Sequence, residues 1–417
     1  MKKIVTFTAL AVSALTIASC QSTSDSAAPT SSNSSAAETT AASSTEEKEV
    51  STLTPRVTLS HDGGIVTLNA INGEIISQVN EPGFYRLNQA GDGRHLMVTH
   101  GDEFAVYDSG NHAKEHGDHY HYYESQPHLT DATYPAEHAG HVVHHDDLTA
   151  LFADGSGDIT VVKTEDIANP DADKRTISTG EPHHGVAVPL EDGSIVHTVG
   201  TEDERHTIRH VSADGKTLAE TTDCPGIHGE AVAEGEALVF GCTNGPVVFS
   251  DGEFHKIPAE GYQRSGNLAG SEESPIVLGD NKVDKDAKHE HPESVLLINS
   301  ADKTAKKVDL GATYWFRSLG RGPEGEALVL TNDGKLVVID EETGEITNRI
   351  DAIQPWEEKE EWQQPGPILK VSGSDAYITD AENNELVVVD LKKGEVSLRH
   401  KLDFSPVEME ISTGKND

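Results

Sequence analysis

The stretch EALVLTNDGKLVVIDEETGEITNRI, residues 326–350, decides the fold. Three short runs of β-favouring residues are separated at Asn332-Asp333-Gly334 and at Glu342-Thr343-Gly344. An Asp-Gly pair supplies the positive φ that a tight hairpin needs, so this stretch predicts an antiparallel meander. DAYITDAENNELVVVDLKKGEVSLRHKL, residues 375–402, repeats the design, and RVTLSHDGGIVTLNAINGEIISQV, residues 56–79, offers three strands of the same kind. Similar turn signals punctuate the chain, among them ADGSGD at 153–158 and SDGE at 250–253. No long stretch carries a helical apolar period, which predicts an all-β chain.

Working outward, candidate innermost strands begin near Arg94, His141, His184, His228, Asn267, Arg317, Ile368 and Val407. These starts lie 47, 43, 44, 39, 50, 51 and 39 residues apart. Units of that length with about four strands each are the mark of a β-propeller. The count predicts eight blades over residues 55–413, with seven as the alternative. Residues 56–79 supply only outer strands, so the C-terminal VEMEIS (407–412) is expected to pair with this N-terminal blade and close the ring. Two β-sandwiches would need a linker, and the sequence has none.

The chain ends narrow the compartment. Met1-Lys2-Lys3 precedes a mostly apolar run from Ile4 to Ile17, and Ile17-Ala18-Ser19-Cys20 has the form of a lipobox. Residues 1–20 therefore read as a lipoprotein signal peptide with Cys20 as the lipidated residue, anchoring the protein to the outer face of the cell membrane. Residues 21–54, rich in Ser, Thr and Ala, read as a disordered tether. In an exported protein Cys224 and Cys242 are expected to form a disulfide, a Cys/His metal site with His228 being the alternative. A formal charge of −39 argues against a nucleic-acid partner.

Chemistry concentrates in HAKEHGDHYHYYESQPHLTDATYPAEHAGHVVHH, residues 112–145, which holds nine of the 22 histidines. Neutral imidazole is a common ligand for borderline metals, and carboxylates such as Glu115 and Asp118 can bind directly or orient a ring. A His-rich insertion is expected at about 110–138, with His116, His119 and His121 as ligands. His141, His184 and His228 each open a candidate inner strand. Inner-strand starts crowd one end of a propeller channel, so His141 or His145, His184 and His228 are expected to converge on one ion. Glu230 would be a ligand or the support of His228. A second charged stretch, GDNKVDKDAKHEHPE (279–293), reads as a solvated loop despite His289 and His291.

HGDHYHYY (116–123), HVVHHDDLTALFADGSG (141–157), PHHGVAVPL (182–190) and CPGIHGE (224–230) with FGC (240–242) resemble the AztD-type zinc metallochaperones. The resemblance runs from about Arg56 onward. It implies a propeller that binds Zn²⁺ outside the cytoplasmic membrane and passes it to the zinc-specific solute-binding protein of an ABC transporter. It places His116, His119 and His121 in a mobile segment and His141, His145, His184 and His228 at blade starts. HHDD stands here where the pattern has HDG, so either His144 or His145 is the ligand. The expected function is thus capture and transfer of Zn²⁺ without catalysis. The alternatives are a metal-dependent, lactonase-like propeller hydrolase and a surface-anchored interaction module; no GxSxG or CxxCH motif is present.

Overall fold

The computed structural model describes residues 46–287 and 290–415. Residues 1–45 lie outside it, and with them the signal peptide, Cys20 and most of the expected tether; so does His289. Nearly all regular structure is β, and the helical segments among the described residues are the short 3₁₀ turns Thr164–Asp166 and Glu234–Glu236.

Eight antiparallel sheets of four strands each follow one another along the chain, in the architecture of a β-propeller. The first blade takes its inner strand from the C-terminus: Glu408–Ser412 pairs with Arg56–His61, with Arg56 opposite Ser412 and Ser60 opposite Glu408. The inner strands of blades two to eight are Arg86–Gln89, Ala139–His145, Ala187–Pro189, Glu230–Ala233, Leu268–Ala269, Leu319–Arg321 and Leu369–Ser372. Inner strands of neighbouring blades touch around most of the ring. Seven of the eight expected starts lie at or within three residues of an inner strand. The exception is Arg94, because His95–His100 is the second strand of its blade and Arg86–Gln89 the first. RLNQ faces a polar channel and carries a single large apolar residue, so an apolar-run reading passes over it in favour of HLMVTH.

Blades hold together through apolar faces that no single sheet can bury alone. Between the eighth and first blades, Ile368, Leu386 and Val388 meet Val57, Leu59, Met409 and Ile411, with Leu59 and Met409 fully buried. Each such side chain contributes about 1.5–3 kcal/mol. Trp315 and Trp356 anchor the equivalent core between blades seven and eight.

The His-rich insertion is shorter than the sequence suggests. Residues His128–Pro135 return as the outermost strand of the second blade, leaving a hairpin of Asn111–His116 and His119–Glu124. Lys48–Val50, expected in the disordered tether, forms a third strand on this hairpin, with Glu49 opposite Tyr123. Composition flagged that segment as unable to build a core, but it needs none: it borrows an existing strand edge.

The hairpin root is tied down. The buried Arg56 guanidinium donates to the Ser109 carbonyl at 2.5 Å and the Ser125 carbonyl at 2.8 Å. Gly110 between them has φ +77°, and a Cβ there would lie 2.3 Å from the Ser125 oxygen, so no other residue fits. Arg94 grips Asp108 with two hydrogen bonds of 2.9 and 2.7 Å and reaches Glu47 at 3.1 Å.

Cys224 and Cys242 are joined by a disulfide and buried against Phe240 and Leu238. With a sequence separation of 18 residues, the chain-entropy contribution is about 3 kcal/mol. Replacing both by Ala should therefore lower the free energy of unfolding by roughly that amount in denaturant titrations.

His197 is a core histidine, donating from Nδ1 to the Thr198 carbonyl at 2.8 Å. Burial pulls its pKa down to about 4. An unfolded His takes up a proton below about 6.5, while the native one stays neutral, so this group costs stability as pH falls from about 6.5 toward 4. Compared with a His197→Asn variant, the wild-type chain should lose roughly 3 kcal/mol of its relative stability between pH 7 and pH 4, read by urea unfolding at each pH.

Candidate metal centres

Two groups of three histidines come together, at opposite faces of the propeller. The first lies where inner strands begin. His141 comes from the third blade, while His184 and His228 stand just ahead of the fourth and fifth inner strands. Each ring is held through Nδ1. His141 donates to the Gly185 carbonyl at 2.8 Å, His228 to the Gly266 carbonyl at 2.6 Å, and His184 to Asp154 Oδ2 at 2.5 Å. With the Nδ1 proton committed, each neutral ring keeps a bare lone pair on Nε2. The Nε2 atoms of His184 and His228 face each other at 3.3 Å. Ligand atoms around a tetrahedral ion at 2.0–2.1 Å stand roughly 3.3 Å apart. His141 is close to His184, their ring centroids being 4.7 Å apart, and stands 6.0 Å from His228. Ligand atoms of His141, Asp154 and His184 all lie within 4.8 Å of one another. Asp154 is already bound to the far nitrogen of His184, so we assign it as the support of that ring.

Burial favours the neutral form of His141 and His228. It pulls His228 down to about 3 and His141 well below its ordinary value, with neighbouring rings and guanidinium groups adding to the effect. Glu230 lines the same cavity, and burial pushes its carboxyl up to about 8. It does not hold His228, whose Nδ1 is taken by Gly266. Among the described residues, no cluster of ligand atoms within 4.8 Å of one another includes Glu230.

The second group is the hairpin tip. His116 pairs across the hairpin with His119, and His121 follows on the same face two residues later. Their ligand atoms lie within 4.8 Å of one another, and the Nε2 atoms of His119 and His121 are 3.2 Å apart. Carboxylates again take the Nδ1 side: Asp118 holds His119 at 3.2 Å and Glu49 holds His121 at 2.7 Å. This group is more open to solvent than the channel group, with His116 and His119 exposed and the three channel rings half-buried.

His145 and His144 join neither group, which corrects the expectation that His145 converges with His184 and His228. They end the strand that His141 begins, and four residues of strand span roughly 13 Å. His145 is buried at the opposite face, with Nδ1 near the Pro189 carbonyl at 3.0 Å and Asp146 at 3.3 Å. Together with Asp146 and Glu236 it forms a third, mixed cluster. The side chain of His144 is exposed beside Gly91. His183 is a core residue bonded at both nitrogens, to the Glu181 carbonyl and Thr198 Oγ1. In the 279–293 stretch, His291 pairs with Glu358 at 3.3 Å.

The hairpin lies on this opposite face as well. Arg86, the first residue of the second blade's inner strand, lines the cavity of the channel histidines, whereas Gln89 at its end bonds the Ile411 carbonyl. Asp108, where the chain leaves for the hairpin, pairs with His95 near that far end. Lys415, which stacks over Tyr120 and Tyr122 of the hairpin, also borders the cleft containing His144.

Sequence reasoning passed over Asp154 and Glu49. Asp154 stands in the ADGSGD stretch, where an Asp followed by Gly reads only as a turn. A Cβ on Gly140 would fall 2.2 Å from its Oδ1, so the glycine leaves room for that carboxylate. Glu49 lies in a segment whose composition signals no structure.

No family model matches the chain. In sequence it is 22% identical over 337 residues to the protein named zinc chaperone AztD of Citrobacter koseri, covering 79% of each chain. The crystal structure of Citrobacter koseri AztD superposes with a TM-score of 0.76 at 20% identity, covering 88% of this chain and 99% of that one. The structure of apo AztD from the same organism gives 0.74 at 19% identity, over 86% and 98%. A more distant likeness, to the dihydro-heme d1 dehydrogenase NirN, has a TM-score of 0.56 at 16% identity, over 88% and 76% of the two chains. The chain is therefore similar to zinc chaperone AztD in sequence and in its propeller fold, in keeping with the resemblance of its histidine-bearing motifs.

Proposed function

We propose that this protein is an extracytoplasmic zinc metallochaperone. The observation that carries the reading is the channel centre: imidazoles from three blades, each tied at Nδ1, with the Nε2 atoms of His184 and His228 facing each other and His141 packed beside His184. The 3.3 Å separation of the two Nε2 atoms matches the spacing of two ligand atoms around a tetrahedral ion. Histidine-dominated sites favour Zn²⁺ and its neighbours over hard cations, and similarity to a protein named as a zinc chaperone favours zinc among these.

In this reading the channel centre is the firm site, because its half-buried ligands are each held at Nδ1 before metal arrives. The hairpin histidines form an exchangeable site, since they are exposed on a two-stranded projection. Zn²⁺ would be transferred by ligand exchange within a complex docked at the hairpin. The recipient we propose is the zinc-specific solute-binding protein of an ABC importer, and the anchor a lipid on Cys20. The buried disulfide supports an oxidising compartment.

Zinc competition against a chromophoric chelator, on the detergent-solubilised full chain, tests the reading. Tight saturable binding is expected in the parent. It should persist in a His116→Ala, His119→Ala, His121→Ala variant and disappear in a His141→Ala, His184→Ala, His228→Ala variant. Absence of saturable binding in the parent would sink the chaperone reading. Asp154→Asn removes the charge behind His184 and should weaken zinc affinity by roughly 10–100-fold with little change in melting temperature. An unchanged affinity would remove Asp154 from the centre.

A further inference from the structure

The cavity at the channel centre has a charge character opposite to that of the molecule. The chain carries a formal charge of −39, yet Arg86, Arg264, Lys282 and Arg317 converge on this one space of about 680 Å³. Arg317 is matched by Glu408, and Lys282 lies 3.6 Å from Asp280 and 3.5 Å from Glu290. Arg264 reaches Glu290 only at 3.9 Å. Arg86 has no carboxylate at ion-pair distance among the described residues; its guanidinium lies over the Trp362 ring, 5.6 Å from the centroid. The Nε atoms of Arg86 and Arg264 are buried without a hydrogen-bond partner, so both charges are held partly out of water and under-compensated. Glu408 lines the same cavity but is paired with Arg317.

The rest of the lining sets the ligand's class. Leu87, Phe316, Leu319 and Trp362 give the cavity apolar and aromatic walls. Its volume falls in the range of organic-ligand sites and exceeds what one inorganic ion fills. Guanidinium forks match the planar, bidentate geometry of a carboxylate. We propose that this cavity binds a small organic carboxylate, held by Arg86 and Arg264 beside the three imidazoles. The assignment goes beyond the zinc reading and does not need it, because the guanidinium groups are present whether or not metal is bound.

Calorimetric titration of citrate into metal-free, detergent-solubilised full chain tests this. Saturable binding at one site is expected, at least tenfold tighter than for inorganic phosphate at the same ionic strength. Arg86→Gln and Arg264→Gln should each weaken it by tenfold or more, while Arg86→Lys retains part of the affinity and thermal melts show that all variants are folded. The variant lacking His141, His184 and His228 should still bind citrate. No saturable citrate binding, equal affinity for phosphate, or insensitivity to both arginine substitutions would overturn the proposal. Because no zinc is present, a failed zinc titration leaves this result standing, and a failed citrate titration leaves the zinc reading standing.

Discussion

The pairing of the last strand with the first blade is the constraint on which the rest depends. Glu408–Ser412 supplies the inner strand that Arg56–His61 needs, so the chain's two ends complete one sheet. Without it, the apolar faces of the first and eighth blades would lose Met409 and Ile411 and the ring would lie open. A closed ring brings the beginnings of all inner strands to one face. That is how histidines 43 and 44 residues apart in sequence come within a few ångströms of one another. The same pairing puts Glu408 against Arg317, so closure also sets the charge of the channel wall.

Hydrogen bonding at Nδ1 then turns neighbouring histidines into a centre. An imidazole that is free at both nitrogens can satisfy itself by pairing with another. Here backbone carbonyls and Asp154 claim one nitrogen of each ring, which leaves the Nε2 side of each for a metal. The hairpin reproduces the logic with Glu49 and Asp118 in place of carbonyls, but on a thin, solvated scaffold. Equivalent ligand chemistry on unequal scaffolds yields sites of unequal firmness.

The sequence showed the fold more fully than the site, for physical reasons. Asp-Gly turns and alternating strands are local, so the repeat could be read along the chain, as could the C-terminal closing strand. The inner strand Arg86–Gln89 escaped because channel-facing strands lose the apolar signature that marks a strand. His116, His119 and His121 were legible as a set because a hairpin keeps them adjacent. His141, His184 and His228 were legible because the repeat aligned them. His145 was misplaced because strand polarity sends residues four apart to opposite faces, which an alignment of blade starts does not resolve. Asp154 and Glu49 left no signal: one was indistinguishable from a turn residue, the other owes its role to an edge pairing formed only in the folded state.

Strand polarity also bears on how metal would move. The channel centre sits at the face where inner strands begin, and the hairpin projects from the face where they end. An ion passing between them would have to traverse the ring along strands spanning roughly 13 Å, past the buried His145. No side chain can swing that far. Under the proposed function, then, the hairpin does not load its own channel by contact, and each site meets the solution or a partner separately. The faces are suited to different visitors: a basic, apolar-walled cavity admits anions and chelates, while a hairpin bearing Asp118, Glu115 and Glu49 attracts bare cations and basic surfaces. A molecule with overall charge −39 would repel any anion at long range, so the cavity's local arginines are what make that face selective.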